Sequence, residues 1–160
     1  MWRMSNRRTR GESPGAEAGF TLIELLIVVA IVGLISSIAV VNLLNAVDKG
    51  KQKRTMADLR TIGAAVEAYG TDNARYPTGV TTWPAMKSFL NPHFMKAPPD
   101  TDGWMNGWEV FSESGNDYTV ISTGKDGADG PRTGGPTQMF DCDILFVNGQ
   151  FYQWPQGTQS

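Results

Sequence analysis

The sequence contains few of the side chains on which most enzymes depend. Its 160 residues include one histidine, His93, and one cysteine, Cys142. A single histidine cannot form a histidine dyad or a histidine metal cluster, which are common arrangements in acid–base and metal catalysis. The glycines at positions 124, 127 and 130 do not have the spacing of a dinucleotide-binding or phosphate-binding loop. We therefore predict that the protein is not an enzyme.

The chain also lacks the means to form an intrachain disulfide, because it has one cysteine. Cys142 has an apolar residue two positions away on each side, Phe140 and Ile144, which predicts a small buried apolar role. A reactive or interchain thiol is the alternative. Positive charge is not in excess either, since the net charge is -2. This balance gives no reason to expect binding to nucleic acid.

Charge is absent from one long segment. Residues 25–44 contain no charged side chain, and a helix of that length spans about 30 Å, the thickness of the hydrocarbon core of a bilayer. The alternative is the buried helix of a soluble protein, but such helices are seldom this long and this free of charge. We predict a single transmembrane helix that contacts membrane lipid.

The start of this segment carries one acid. Glu24 is the only charged residue among residues 19–47. Thr21 and Glu24 have the spacing of a capping box, which alone would explain the acid as a local helix cap. A carboxylate at the edge of hydrocarbon also needs a partner or must be protonated. Cleavage between Gly19 and Phe20 would expose an α-amine four residues before Glu24, and we predict that in a filament this amine pairs with Glu24 of a neighbouring copy.

The position of that cleavage site relative to the apolar segment is informative. In a secretory signal peptide a small-residue site follows the apolar segment, and the segment is discarded. Here the site precedes the segment, so cleavage would keep the apolar helix on the mature chain. An acid retained near the end of a membrane helix indicates a functional role.

The helix is predicted to continue past the apolar segment and to cover residues 21–73. Pro77 disfavours helix at the residue before it, which places the end nearby. In the second half, apolar residues recur at spacings of three and four, the pattern of a helix that buries one face. They are Met56, Leu59, Ile62, Val66 and Tyr69. We expect this face to pack on the globular domain of the same chain, and the apolar half to pack on other copies.

The remainder of the chain, residues 77–160, predicts a short helix and a small sheet. The short helix is expected over residues 83–90, with Pro84 in its first turn. Two strands, over residues 108–112 and 118–122, form one predicted hairpin. A second hairpin joins residues 144–147 to residues 150–154 through Asn148-Gly149, the strongest short hairpin signal.

The predicted fold class is therefore α+β, with a long N-terminal helix packed against a small antiparallel β-sheet of three or four strands. The predicted organisation has four parts in chain order. They are a cleaved basic leader over residues 1–19, the transmembrane and assembly half of the helix over 20–47, its amphipathic half over 48–76, and the C-terminal sheet region over 77–160.

A long loop rich in glycine and aspartate, residues 123–143, separates the two hairpins. Loops of this length inside compact domains are either functional or disordered. It contains Asp126, Asp129, Asp141 and Asp143, and the last two point the same way if the backbone is extended. Carboxylates together with backbone carbonyls suit calcium; a solvated acidic loop is the alternative. Calcium is favoured because a small domain without a disulfide gains stability from a metal that closes a long loop.

These motifs carry a resemblance to a known family. Residues 19–24, Gly-Phe-Thr-Leu-Ile-Glu, followed by the apolar helix, resemble the class III signal of type IV pilins and type II secretion pseudopilins. Residues 51–62 and 102–107 look like segments of the major pseudopilins of type II secretion. Residues 122–130 together with 141–144 look like the calcium loop of those proteins.

The resemblance implies a pilin-like fold and a role for each matching residue. Gly19 would be the last residue that a prepilin peptidase removes, Phe20 would become the N-methylated first residue, and Glu24 would govern assembly. A structural calcium ion would be held by residues of the long loop. Its implied ligands are Asp126, Asp141 and Asp143, with Asp129 as the weaker match.

The resemblance also implies partners and a location. The chain would lie in the inner membrane with its C-terminal domain in the periplasm, and would polymerise there with itself and with other pseudopilins on an inner-membrane assembly platform. The resulting periplasmic filament, a pseudopilus, would help drive folded proteins across the outer membrane. The alternative is a subunit of a type IV pilus that serves adhesion, twitching motility or DNA uptake.

Overall fold

The computed structural model of the protein describes residues 19–157, so the predicted leader lies outside the described residues except for Gly19. The chain divides into one compact unit that ends at Ala39 and a second that begins at Val40. The described residues form two helices and five strands. In chain order these are α1 (Leu22–Asn73), α2 (Trp83–Leu90), β1 (Glu109–Phe111), β2 (Thr119–Ser122), β3 (Gly135–Thr137), β4 (Ile144–Val147) and β5 (Gln150–Pro155).

Helix α1 begins and ends where the sequence predicts. Thr21 directly precedes its first residue, Leu22. Ala74 follows its last residue with φ of 58°, the left-handed conformation that ends many helices. Pro77 then prevents the helix from resuming. Helix α2 also covers the predicted residues, with a proline in its first turn.

The sheet contains more strands than predicted, and it is mixed rather than antiparallel. The strand order is β1-β2-β4-β5-β3. Strand β3 pairs with β5 in parallel, whereas the other three pairings are antiparallel. Strand β3 lies inside the segment that the sequence predicts as a loop. Two of its three residues, Gly135 and Pro136, are of types depleted in strands, so the open edge of β5 and not a local signal makes it a strand.

Both predicted hairpins are present. Strands β1 and β2 form the first, and β4 and β5 form the second. Asn148 and Gly149 have φ of 46° and 82°, the pair of positive angles that a two-residue type I′ turn requires. The Asn-Gly signal therefore sets the position of this turn and the two pairs beside it, Val147 with Gln150 and Phe146 with Phe151, whereas the register shifts between Phe146 and Leu145.

The core lies between the second half of α1 and one face of the sheet. Leu59, Ile62 and Val66 of the predicted helix stripe are fully buried, and Met56 and Tyr69 pack at its margin. The predicted packing of this stripe on the globular domain is confirmed. Ala65 of α1 also belongs to the core. The other members come from α2, the strands and their flanking residues, namely Val80, Trp83, Met86, Leu90, Trp108, Val110, Tyr118, Val120, Ile144 and Phe146.

A partly buried group of hydrogen bonds connects α1 to the hairpins. The hydroxyl of Tyr118 donates to Glu67 Oε1 at 3.0 Å and accepts from the N–H of Gly149 at 3.0 Å. Tyr76 donates to the other carboxylate oxygen of Glu67, also at 3.0 Å. Burial, and then the charge of Glu67, raise the pKa of Tyr118 above its usual value. The hydroxyl therefore stays protonated and remains a donor to the carboxylate.

Candidate functional site

The first candidate site is the start of α1. The hydroxyl oxygen of Thr21 accepts a hydrogen bond from the N–H of Glu24 at 3.2 Å, and the carbonyl of Thr21 accepts from the N–H of Leu25 at 3.2 Å. The predicted helix cap by Thr21 is thus present. Gly19 and Phe20 lie before the helix and are exposed. The structure brings the three predicted residues, Gly19, Phe20 and Glu24, to one exposed end of the helix.

The helix that follows this site exposes its apolar side chains on all sides. Every residue from 19 to 44 is exposed, and the large apolar residues among them leave half or more of their surface uncovered. Residues 19–157 include one helix long and apolar enough to cross a membrane, with a mean hydropathy of 2.7 over its most apolar 18 residues, none of them buried. A surface of this kind needs lipid or other apolar helices to cover it.

The second candidate site is the long loop, and its two ends are held together by backbone contacts. The N–H of Lys125 donates to the carbonyl of Phe140 at 2.9 Å. Gly124 has φ of 70°, and a Cβ at this position would lie 2.8 Å from the carbonyl oxygens of Phe140 and Cys142. Only glycine allows that approach. Cys142, predicted to be buried, is a half-buried free thiol beside this contact.

The four predicted calcium ligands do not form one group in this structure. Asp143 is fully buried, whereas Asp141 is exposed, because the backbone turns at residues 139–142 instead of extending. The expectation that these two carboxylates point the same way is therefore wrong. Asp126 accepts a hydrogen bond from the N–H of Ala128 at 3.1 Å. Among residues 19–157 no group of three or more His, Cys, Asp or Glu side chains is arranged to hold a metal ion.

The loop is instead organised around an arginine. Arg132 Nε lies 3.3 Å from Asp143 Oδ2, and its Nη2 lies 2.7 Å from Glu109 Oε2 and also contacts Asp129. Burial acts against the charge of Arg132, but the hydrogen bonds to Glu109 and Asp143 outweigh it and raise the pKa of the guanidinium. Two of the predicted ligands, Asp129 and Asp143, thus meet at Arg132. The residues present do not fit a calcium ion in this arrangement, and calcium binding stays a prediction.

The loop is also tied to α1 by a charged pair. Lys125 Nζ lies 2.8 Å from Asp48 Oδ2, and Trp104 Nε1 donates to Asp48 Oδ1 at 3.2 Å. Burial acts to raise the pKa of the Asp48 carboxyl, but these two hydrogen bonds outweigh it, and the pKa is lowered. Asp48 is therefore a charged anchor on the helix for the first residues of the loop.

A second buried acid, Asp102, connects the neighbouring segments. Its Oδ1 accepts from the N–H groups of Trp104 and Asn106 at 2.9 Å each, and its Oδ2 accepts from the hydroxyl of Ser122 at 2.6 Å. The side chain of Asn106 donates to the carbonyl of Gly124 at 2.7 Å. One fully buried carboxylate thereby fixes the turn at 102–106, the end of β2 and the entry to the long loop.

Sequence reasoning did not identify Asp48, Asp102 or Arg132 as residues of this site. Asp102 had a usable signal, because aspartate followed by glycine favours a turn in which the carboxylate binds nearby backbone N–H groups. Arg132 had none, since two of its partners are 11 and 23 positions away. The pair of Asp48 with Lys125 spans 77 positions and is also beyond the reach of any local pattern.

Two family models match consecutive segments of the chain. The model of a family described as type II secretion system (T2SS), protein G matches residues 42–136. A model described as the prokaryotic N-terminal methylation motif matches residues 15–40. Two proteins described as type II secretion system core protein G are similar to this chain. The one from Vibrio cholerae serotype O1 is 32% identical over 124 residues, 71% of this chain and 84% of the relative, and the one from Aeromonas hydrophila is 30% identical over 125 residues, 71% and 87%.

Proposed function

Because the chain belongs to the protein G family of the type II secretion system, we propose that it is a structural subunit of the pseudopilus, the filament of that system. The observation that carries this proposal is the start of α1. There, a methylation motif leads into a helix whose apolar residues are exposed up to residue 44. In a chain of this family, such an exposed apolar surface is suited to polymerisation.

The apolar half of α1 needs two different environments in turn. Before assembly, lipid covers it, since its length matches the bilayer core. After assembly, the same half of other subunits covers it, because close packing in a bundle of apolar helices takes the place of packing against lipid chains. We propose that the subunit first lies in the inner membrane with its C-terminal domain in the periplasm, and then moves from lipid into the filament.

Glu24 would decide how one subunit is positioned against the next. A carboxylate surrounded by apolar helices is costly unless it has an opposite charge beside it. Removal of the leader after Gly19 would give the mature chain an α-amine at Phe20, and N-methylation keeps that amine basic. The amine of one subunit paired with Glu24 of its neighbour neutralises both charges and fixes the axial step between the two helices.

The remaining partners follow from these steps. A prepilin peptidase would cut after Gly19 and methylate Phe20, and an inner-membrane assembly platform would add the subunit to the growing filament. Other pseudopilins would join the same polymer. Growth of the polymer in the periplasm would drive folded proteins through the outer membrane. The subunit acts mechanically in this scheme and has no catalytic step of its own.

The proposal is tested in the native host, with the chromosomal gene replaced by the gene for Glu24→Gln. This change removes the charge and keeps the shape. The intact mass of the product should show normal cleavage, and the subunit should remain in the membrane fraction. Cross-linked polymer and secretion of the host's exported proteins should both be lost. Asn42→Ala, a polar change in the same apolar segment, is the matched control and should retain both.

Three outcomes would contradict the proposal at different points. Normal polymer from Glu24→Gln would reject the amine pairing while leaving the family role intact. Unchanged secretion after complete deletion of the gene, together with loss of surface fibres, would show that the subunit serves a type IV pilus. Gly19→Val should leave the leader attached, and a mature product of normal mass would reject the cleavage site.

A further inference from the structure

Arg132 contacts three acidic residues, one of them three positions away in the sequence and the other two 11 and 23 positions away. Its guanidinium contacts Glu109 of β1, Asp129 of the long loop and Asp143, which directly precedes β4. We propose that this guanidinium is the cation that closes loop 123–143, in the role for which the family resemblance implies calcium. The chain would then keep its fold when divalent cations are removed. This inference does not depend on the proposed role in secretion.

The need for a cation comes from one carboxylate. Asp143 is fully buried, and a buried charge without a counter-charge is strongly destabilising. Its oxygens receive the N–H of Gly130 at 3.2 Å and Arg132 Nε at 3.3 Å. The side chains of Asp129 and Glu109 are 70% and 36% exposed, so water shares in their solvation. The positive charge of Arg132 therefore supplies the counter-charge that the buried carboxylate of Asp143 needs.

The shape of the guanidinium suits this position better than a point charge would. Its N–H groups lie in a plane and point in different directions. Nε donates to Asp143, while Nη2 donates to Glu109 and Asp129. Gly130 reinforces the arrangement, because a Cβ there would lie 3.0 Å from Asp143 Oδ1. The backbone approaches the buried carboxylate closely and supplies a second donor to it.

The other predicted ligands leave no oxygen shell for calcium. Calcium takes six to eight oxygen ligands in proteins. Asp126 caps its own turn through Ala128, and Asp141 is exposed on the turn before Asp143. A calcium ion next to Asp143 would also lie against the positive charge of Arg132. The carboxylate of Asp143 can therefore pair with the guanidinium of Arg132 or with a calcium ion, but not with both at once.

The decisive measurement uses the parent chain at full length, purified in detergent. Thermal unfolding is followed by tryptophan fluorescence, which reports mainly on the second compact unit because four of the five tryptophans lie between residues 83 and 154. We expect the same melting temperature, Tm, in EGTA and in added calcium chloride. A Tm that falls in EGTA and returns with calcium would overturn the proposal.

The second arm removes the guanidinium. Arg132→Gln should lower Tm by about 10 °C, because a buried carboxylate loses its counter-charge. Lys87→Gln is the matched control, since Lys87 pairs with Asp100, whose side chain is 71% exposed, and its Tm should change by no more than about 2 °C.

Each result of these two arms decides for or against the guanidinium. A Tm of Arg132→Gln equal to that of the parent chain would overturn the proposal. Should Arg132→Gln fail to fold, the chelator result on the parent chain decides: no shift supports the guanidinium as the closing cation, and a shift rejects it. Arg132→Lys adds a graded test, because a lysine supplies the charge without the fork and should restore part of the Tm.

Discussion

Gly63 of α1 offers the sharpest quantitative test of how the helix packs on the sheet. A Cβ at this position would lie 2.1 Å from Cε1 of Phe146 and 2.9 Å from its Cδ1, whereas carbon atoms in contact are about 3.5 Å apart or more. Phe146 lies on β4, is buried, and packs edge-on against Phe151 with ring centroids 4.9 Å apart. Gly63→Ala therefore forces the ring of Phe146 to move.

Two effects of opposite sign compete in this substitution. Alanine favours helix over glycine by about 0.5–1 kcal/mol. Overpacking a buried contact costs about 1–3 kcal/mol, and the displacement required here places the cost in the upper half of that range. The clash wins, and we expect Gly63→Ala to lower the free energy of unfolding by about 1–2 kcal/mol, or Tm by about 4–8 °C.

The same helix contains a matched control. Gly50 is exposed, and a Cβ there would meet no atom within 4 Å. Gly50→Ala should therefore show the propensity effect alone and raise stability by about 0.5–1 kcal/mol. Both variants are measured as full-length protein in detergent, by tryptophan fluorescence during heating and urea unfolding. A change of identical chemistry in one helix should thus give opposite signs.

A double variant checks the cause. Phe146→Leu shortens the side chain that the new methyl group would strike, so Gly63→Ala should cost less in the Phe146→Leu background than alone, with a coupling of about 1 kcal/mol. Equal stabilisation by Gly50→Ala and Gly63→Ala, or strict additivity in the double variant, would refute the packing of Gly63 against Phe146.

Two further predictions concern the polar groups that connect the second half of α1 to the long loop and to the hairpins. Asp48→Asn should lower Tm at neutral pH, because it breaks the charged pair with Lys125. The lowered pKa of Asp48 means that this stabilisation is present above about pH 4 and is lost as the pH falls further, so the Tm values of the variant and the parent chain should converge there; a constant gap would contradict the pair. Tyr118→Phe should cost about 1–2 kcal/mol, because Glu67 loses a buried donor. Tyr152→Phe, at a half-exposed position, should stay within about 0.5 kcal/mol, and equal losses in urea unfolding would argue against the Tyr118 hydrogen bond.

The sequence by itself determined the features whose signals are local. The cap by Thr21 depends on a residue three positions away, and the face of α1 with Leu59, Ile62 and Val66 repeats within one or two turns. The turn at Asn148-Gly149 needs only the backbone freedom of its own two residues. Each of these could be predicted because its cause and its effect lie within a few residues of each other.

Tertiary structure decided the features whose partners are distant along the chain. Strand β3 forms because β5 presents an open edge to it, and no pattern within Gly-Pro-Thr predicts that pairing. The aspartates of the long loop look alike in the sequence, yet a turn exposes Asp141 while Asp143 is buried beside Arg132. Burial decides which carboxylate needs a counter-charge, and burial is a property of the folded chain. The helix could therefore be predicted from its own residues, whereas the cation of the loop could be assigned only from the folded chain, in which Arg132 lies beside Asp143.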